Sequence, residues 1–306
     1  MNPYIYPMNQ IPASLQKGDL IAIVAPAKAI ESEHVYFAKS FFEKEGFQVE
    51  ISPNCLGEYD YFSGDIPNRL HDFQTALDKP EVKAIVCARG GYGCVQLLDR
   101  IQWASQLREP KWIVGFSDVT YFHQRMQMHG IASIHGTMPL NFQRNSEESL
   151  STLVDCLKGQ ASAISWGRNP HNKVGSATGK LVGGNLSILN ALLGTDDQIN
   201  FENTILYIED IGEPIYAIDR MFYAFSKAGV LEKIKGLVVG GMTKLSDTAV
   251  PYGKCYEEVI LSHFDFRRIP IAFDLPSGHI NDNRALILGK ETRLDTSENK
   301  IVLSPL

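Results

Sequence analysis

The chain has 306 residues, 44% hydrophobic and 21% charged, a balance that suits one large or two ordinary globular domains. Its 29 Lys and Arg against 35 Asp and Glu leave a formal net charge of −6 with no basic stripe, which argues against a nucleic-acid partner. No apolar run approaches the ~20 residues that span a bilayer, and five scattered cysteines with no C-x-x-C pair fit a reducing compartment.

Residues 1–7 lack a positive stretch followed by an apolar one, so a cytoplasmic protein is expected. Residues 17–27 read as a turn, a buried strand and a stop. A helix over 31–45 ends at Gly46, and 47–51 forms a second strand. The spacing of Leu70, Phe73 and Leu77 predicts a helix over 66–77. Residues 82–87 form a third buried strand, with Cys87 a small buried hydrophobe. Ala88-Arg89-Gly90-Gly91-Tyr92-Gly93 follows, then a helix carrying Val95, Leu97 and Leu98. Trp112-Ile113-Val114 is a short strand stopped at Gly115. The next helix presents Val119, Phe122, Met126 and His129 on one face, and 131–134 is a further strand.

The region 145–173 changes character, with a polar stretch, a short helix near 150–157 and a loop at 167–172. A domain boundary belongs here, giving an N-terminal domain over 1–165 and a C-terminal domain over 175–306. The second half offers a restart at 178–185, helices at 186–193, 215–225 and 256–263, and strands at 204–208, 237–239, 271–273, 285–288 and 301–303. Apolar strands alternating with helices predict an α/β protein: an N-terminal doubly wound parallel sheet followed by a C-terminal α/β domain.

The chemistry gathers at strand ends. Ser117 sits on the turn between its strand and the following helix, where free helix N–H groups favour negative charge. It reads as a nucleophile, with a helix N-cap as the plain alternative. A serine nucleophile needs a base, and the base an acceptor. Of the eight histidines, His34, His71 and His263 lie in helical segments, and His123 and His129 follow Ser117 too closely. His135 ends a strand and His171 lies in the linker loop. His279 stands out, in a polar loop directly after a strand. Glu209, Asp210 and Glu213 compete as the acceptor where an apolar strand ends. Gly90-Gly91 lets backbone N–H groups approach a ligand closely, and one of them with the Asp118 N–H would form an oxyanion hole. The plain alternative is a tight strand-to-helix turn.

Five segments in order, Ala88 to Gly93, Gly115-Phe116-Ser117-Asp118, Gly183-Gly184-Asn185-Leu186, Ile208-Glu209-Asp210 and Gly278-His279, resemble the LD-carboxypeptidases, the muramoyltetrapeptide carboxypeptidase family of serine peptidases. The resemblance covers essentially the whole chain. It implies a Ser-His-Glu triad at Ser117, His279 and Glu209, and an oxyanion hole from the N–H groups of Gly90 and Asp118, with Gly91 a near alternative to Gly90. It implies a Rossmann-like N-terminal domain carrying the serine and a C-terminal domain carrying acid and base. It also implies no metal or other cofactor, a homodimer, and a peptidoglycan-derived peptide as substrate, cut before a terminal D-alanine during cell-wall recycling. Arg89 and then Asn185 are the expected substrate contacts. Thr137 and Ile287 depart from the family pattern where prolines are common. Other readings are a microcin-immunity-type peptidase acting on a peptidyl or aminoacyl nucleotide, a small-ligand-binding protein, and an α/β-hydrolase. The last has the same Ser…Glu…His order, but Val119 replaces the final glycine of its elbow.

Overall fold

The near-continuous apolar runs become the strands of a computed structural model that describes residues 10–297 and 300–306. The leader expectation at residues 1–7 lies outside them. In chain order the first part contains β1 (Leu20–Val24), α1 (Ser32–Lys44), β2 (Gln48–Ile51), α2 (Ile66–Asp78), β3 (Val82–Cys87), α3 (Cys94–Leu98), α4 (Ala104–Arg108), β4 (Trp112–Gly115), α5 (Thr120–Met128), β5 (Ser133–His135) and α6 (Glu147–Leu157). The second part contains β6 (Ile164–Trp166), β7 (Gly175–Asn185), α7 (Leu186–Ala191), β8 (Ile205–Ile211), α8 (Ile215–Lys227), β9 (Gly236–Thr243), α9 (Tyr256–Ser262), β10 (Ile271–Ala272), β11 (Leu286–Leu288), β12 (Glu291–Thr296) and β13 (Ile301–Pro305).

The first sheet runs β11-β5-β4-β3-β1-β2. Its five N-terminal strands are parallel, and β11 is antiparallel to β5. The strand order 2-1-3-4-5 makes it doubly wound, in the flavodoxin-like rather than the Rossmann order. Alternation along the strands explains the two buried faces. Ile21, Ile23, Val86, Val114 and Ile134 pack with Val35, Ala38 and Phe42 of α1 and with Leu153 and Leu157 of α6. On the helical side that uses α2 and α5, Phe73 and Phe122 stack with ring centroids 4.5 Å apart.

The second sheet runs β10-β9-β8-β7-β12-β13-β6. It is parallel from β7 to β10 and antiparallel beyond β7. The 11-residue β7 serves both halves: Gly175 to Lys180 pair with β12, and Leu181 to Asn185 pair with β8.

The chain forms two compact units that divide between Ala161 and Ser162, and one later segment crosses back to the first. The first comprises residues up to Ala161 together with Asn281–Gly289; the second comprises Ser162–Ile280 and Lys290–Leu306. The segment assigned to the C-terminal domain at 281–289 therefore belongs to the first unit. There Leu286, Ile287 and Leu288 pair with His135, Ile134 and Ser133. Among the described residues, no helix is long and apolar enough to cross a membrane.

Candidate active site

In the first unit, β4 delivers Ser117 on a sharp turn. Gly115 ends the strand where a Cβ would lie 2.8 Å from the Val119 side chain. Phe116 is extended, and Ser117 then adopts φ +62° at the start of a single 3-10 turn leading into α5. A serine in this left-handed region costs about 1–2 kcal/mol. Such strain persists where surrounding structure enforces it, as at a nucleophile elbow. Ser117 is thus no ordinary N-cap, because an N-cap residue takes extended backbone.

The loop after β3 closes against this turn. A Cβ on Gly90 would lie 3.2 Å from the Ser117 Cβ and 3.3 Å from the Asp118 nitrogen, so any side chain there would crowd the turn that carries the serine. The Asp118 side chain turns inward and is 2% exposed. Its Oδ2 accepts the Cys94 N–H at 2.8 Å. Burial raises its pKa, against the pull of the Cys94 hydrogen bonds and the charge of Arg69. Arg69 is also buried. It donates to the carbonyls of Gly64 and Pro26 at 2.9 and 2.8 Å and to Gln96 Oε1 at 2.6 Å. It thereby ties the loop after β1 to the start of α3, a role the sequence reading missed. A lone arginine in an amphipathic helix carries no signal of burial. Arg89 is half-buried and donates from Nη1 to the Ala29 carbonyl at 2.8 Å.

In the second unit, Glu209 lies on β8 between β7 and β9 and is fully buried. Between Ile208 and Asp210 the pairing with β9 slips past Gly240 and Gly241. A bulge of this kind re-aims side chains beside functional sites. The 274–280 loop closes onto Glu209. Gly278 has φ +104°, and a Cβ there would lie 2.7 Å from that of Glu209. The Gly241 N–H donates to the Ser277 carbonyl at 2.8 Å, and Thr243 Oγ1 to the His279 carbonyl at 3.2 Å.

His279 Nδ1 lies 2.5 Å from Glu209 Oε2. A carboxylate only accepts, so Nδ1 carries the proton and Nε2 is the basic nitrogen. Burial works against a charged imidazole, but the Glu209 charge and hydrogen bond outweigh it and raise the His279 pKa. The other two acids have different partners. Asp210 Oδ2 accepts the Ser187 N–H and Oγ–H at 2.9 and 2.7 Å, and Glu213 Oε1 lies 3.2 Å from the same hydroxyl oxygen. Asn185 caps α7, with Oδ1 accepting the Ile188 N–H at 3.2 Å. Its Nδ2 donates to Asp210 Oδ1 at 2.9 Å and reaches Glu209 Oε1 at 3.5 Å. Substrate contact at this residue would be shared with that internal network.

Each unit thus assembles one part of the expected chemistry: a strained serine against a glycine loop, and an imidazole held by a buried carboxylate. Both units match known proteins. Residues 21–136 match the LD-carboxypeptidase N-terminal domain and residues 178–294 the LD-carboxypeptidase C-terminal domain. A putative carboxypeptidase of Synechocystis sp. is 34% identical over 285 residues, covering 93% of this chain and 94% of that protein. The crystal structure of muramoyltetrapeptide carboxypeptidase from Oxalobacter formigenes is 28% identical, with a TM-score of 0.85 over 94% of this chain and 98% of that one. The microcin C7 self immunity protein MccF, in complex with aspartyl sulfamoyl adenosine, shares the fold with a TM-score of 0.85 at 20% identity, over 97% of this chain and 99% of that one.

Proposed function

The chain belongs to the LD-carboxypeptidase family, and from that premise we propose that it removes the terminal D-alanine from muramyl tetrapeptides, with Ser117, His279 and Glu209 as its triad. That it is a carboxypeptidase of a serine peptidase family follows from membership. The observation that carries the finer reading is the 2.5 Å hydrogen bond from His279 to the buried Glu209 carboxylate. This is the arrangement of a base held in one tautomer by an acid, and Asp210 and Glu213 are engaged elsewhere.

In this mechanism Ser117 Oγ attacks the carbonyl joining the third residue's L-centre to D-alanine. His279 Nε2 takes the serine proton and later gives it to the leaving amine. Glu209 holds the imidazole and stabilises its charged form. The N–H groups of Gly90 and Asp118 stabilise the developing oxyanion, each such donor contributing roughly 10²–10³ in rate. Arg89 supplies a positive charge for the substrate's terminal carboxylate. No step requires a metal or an organic cofactor. The reading carries with it a cytoplasmic setting, a role in peptidoglycan recycling and a homodimer. The similarity to the Oxalobacter muramoyltetrapeptide carboxypeptidase supports the substrate class.

Mass spectrometry of tetrapeptide stems incubated with the purified protein tests the proposal. Wild type releases D-alanine, and Ser117→Ala, still folded by circular dichroism, loses turnover by on the order of 10⁴-fold or more. Retained turnover in the variant removes Ser117 as nucleophile. Cleavage of an aminoacyl sulfamoyl adenosine with none of the tetrapeptide would move the protein to the antibiotic-detoxifying reading.

A further inference from the structure

The second unit brings together three metal-ligating groups that the hydrolytic chemistry does not use. His171 lies in the loop between β6 and β7, Cys255 immediately precedes α9, and Glu257 lies in the first turn of α9. One donor atom from each lies within 4.8 Å of the other two. Tetrahedral coordination with a Zn–S bond near 2.3 Å and Zn–N and Zn–O bonds near 2.0–2.2 Å places donors roughly 3.3–3.7 Å apart. Small side-chain rotations close that difference, since Cys255 is exposed and the other two residues are partly buried.

The surroundings are those of a ligand set. Asn169, itself only 7% exposed, holds His171: its Oδ1 lies 2.8 Å from the His171 backbone nitrogen and 3.2 Å from Nδ1. Nδ1–H is the donor, which leaves the Nε2 lone pair as the ligating atom, the usual arrangement for a metal-binding imidazole. Asn169 is fixed in turn by donating from Nδ2 to Asp274 Oδ2 at 2.7 Å. The Cys255 N–H donates to Glu258 Oε2 at 2.9 Å, which fixes the residue at the start of α9.

We propose that His171, Cys255 and Glu257 form a binding site for one divalent, thiolate-accepting metal ion of the zinc class, with water as its fourth ligand. Thiolate with imidazole selects Zn²⁺ or Co²⁺ over the hard cations Mg²⁺ and Ca²⁺, which prefer all-oxygen shells. Binding displaces the thiol proton and joins the 167–173 loop to the start of α9. Through Asn169 and Asp274 it also braces the loop that carries His279. None of its three residues is among those assigned to hydrolysis, so the site modifies the expectation of a metal-free protein without entering the reaction.

The test is a titration of the full-length protein, stripped with chelator and dialysed, with Co²⁺ alone. The expected result is a near-ultraviolet thiolate-to-cobalt charge-transfer band that saturates at one Co²⁺ per chain and bleaches when Zn²⁺ is added. The signal is specific because the other four cysteines, Cys55, Cys87, Cys94 and Cys156, are buried. Cys255→Ser abolishes the band while preserving the helix start, since serine is itself a good N-cap. His171→Ala weakens Co²⁺ binding at least tenfold. Absence of the band in wild type, its persistence in Cys255→Ser, or unchanged affinity in His171→Ala would each overturn the proposal, the last by showing an isolated surface thiol.

Discussion

Glu209 and His279 set the pH behaviour of the proposed reaction between them. The base must be neutral to take a proton, and its folded pKa is raised above the usual histidine value of about 6.5. Activity therefore climbs with pH through that raised value. The pair's contribution to stability runs the other way: it is full below the unfolded pKa and is lost as pH rises through the folded one. Glu209→Gln removes the charge that raises the pKa and leaves one amide oxygen in place of the carboxylate; burial, which lowers the pKa, and the Asp210 charge, which raises it, remain. The acid limb of kcat/KM should then move to lower pH, while kcat falls by about 10⁴, as when a triad acid becomes its amide. Both are read from one pH–rate series. A limb that stays in place in the variant would mean that Glu209 does not tune His279. At this scale the sequence is legible only in part. The strand end at 209–213 announces a carboxylate without choosing among three. The choice depends on a β-bulge at Gly240 and Gly241 and on a positive-φ glycine at 278, which no local pattern encodes.

The elements around Ser117 are read well because each short apolar strand is buried on both faces and bounded by glycine or a charged residue. Weaker patterns escape. The strand Glu291–Thr296 alternates exposed and buried residues with only Leu294 strongly apolar, and α4 is a single turn. The sequence also shows no sign that α5 is bolted to β4 and β5 by a buried histidine. His123 Nε2 lies 2.8 Å from the Gly115 carbonyl and Nδ1 lies 2.9 Å from Ser133 Oγ, so the neutral ring spans two strands and a helix. Burial lowers its pKa to about 4, against the hydrogen bond to Gly115, which raises it. The unfolded chain binds that proton near pH 6.5. Its stabilisation is thus present above about 6.5 and is lost as pH falls towards 4, roughly 3 kcal/mol in all. His123→Gln lacks the titration. Chemical denaturation should show wild type the more stable at pH 7, and the gap narrowing by on the order of 2 kcal/mol by pH 4.5. A gap independent of pH would show that His123 takes up its proton as readily in the folded protein as in the unfolded chain.

At the scale of the whole molecule, the return of residues 281–289 to the first unit is the feature the sequence hides most completely. The strand at 285–288 is recognisable, but which sheet receives it depends on a partner 150 residues earlier, and a linear reading assigns it to the half in which it occurs. The chain instead returns to the first unit, anchored before it pairs. Ser146 Oγ donates to Asp282 Oδ1 at 2.9 Å, and Asn145 Nδ2 and Ser149 Oγ donate to the Asn281 carbonyl at 2.7 and 3.1 Å. Without this segment β5 would be an edge strand with unpaired backbone groups, a template for aggregation. The buried side chains of Leu286, Ile287 and Leu288 would be lost as well, at roughly 1.5–3 kcal/mol each. A fragment ending at residue 165 should consequently be aggregation-prone and melt well below the intact protein. The same fragment with residues 281–289 appended through a flexible linker should be monodisperse and recover most of that loss. Light scattering and thermal melts on the two fragments decide the matter. Equal behaviour would mean that the returning strand closes an edge the first unit does not need closed.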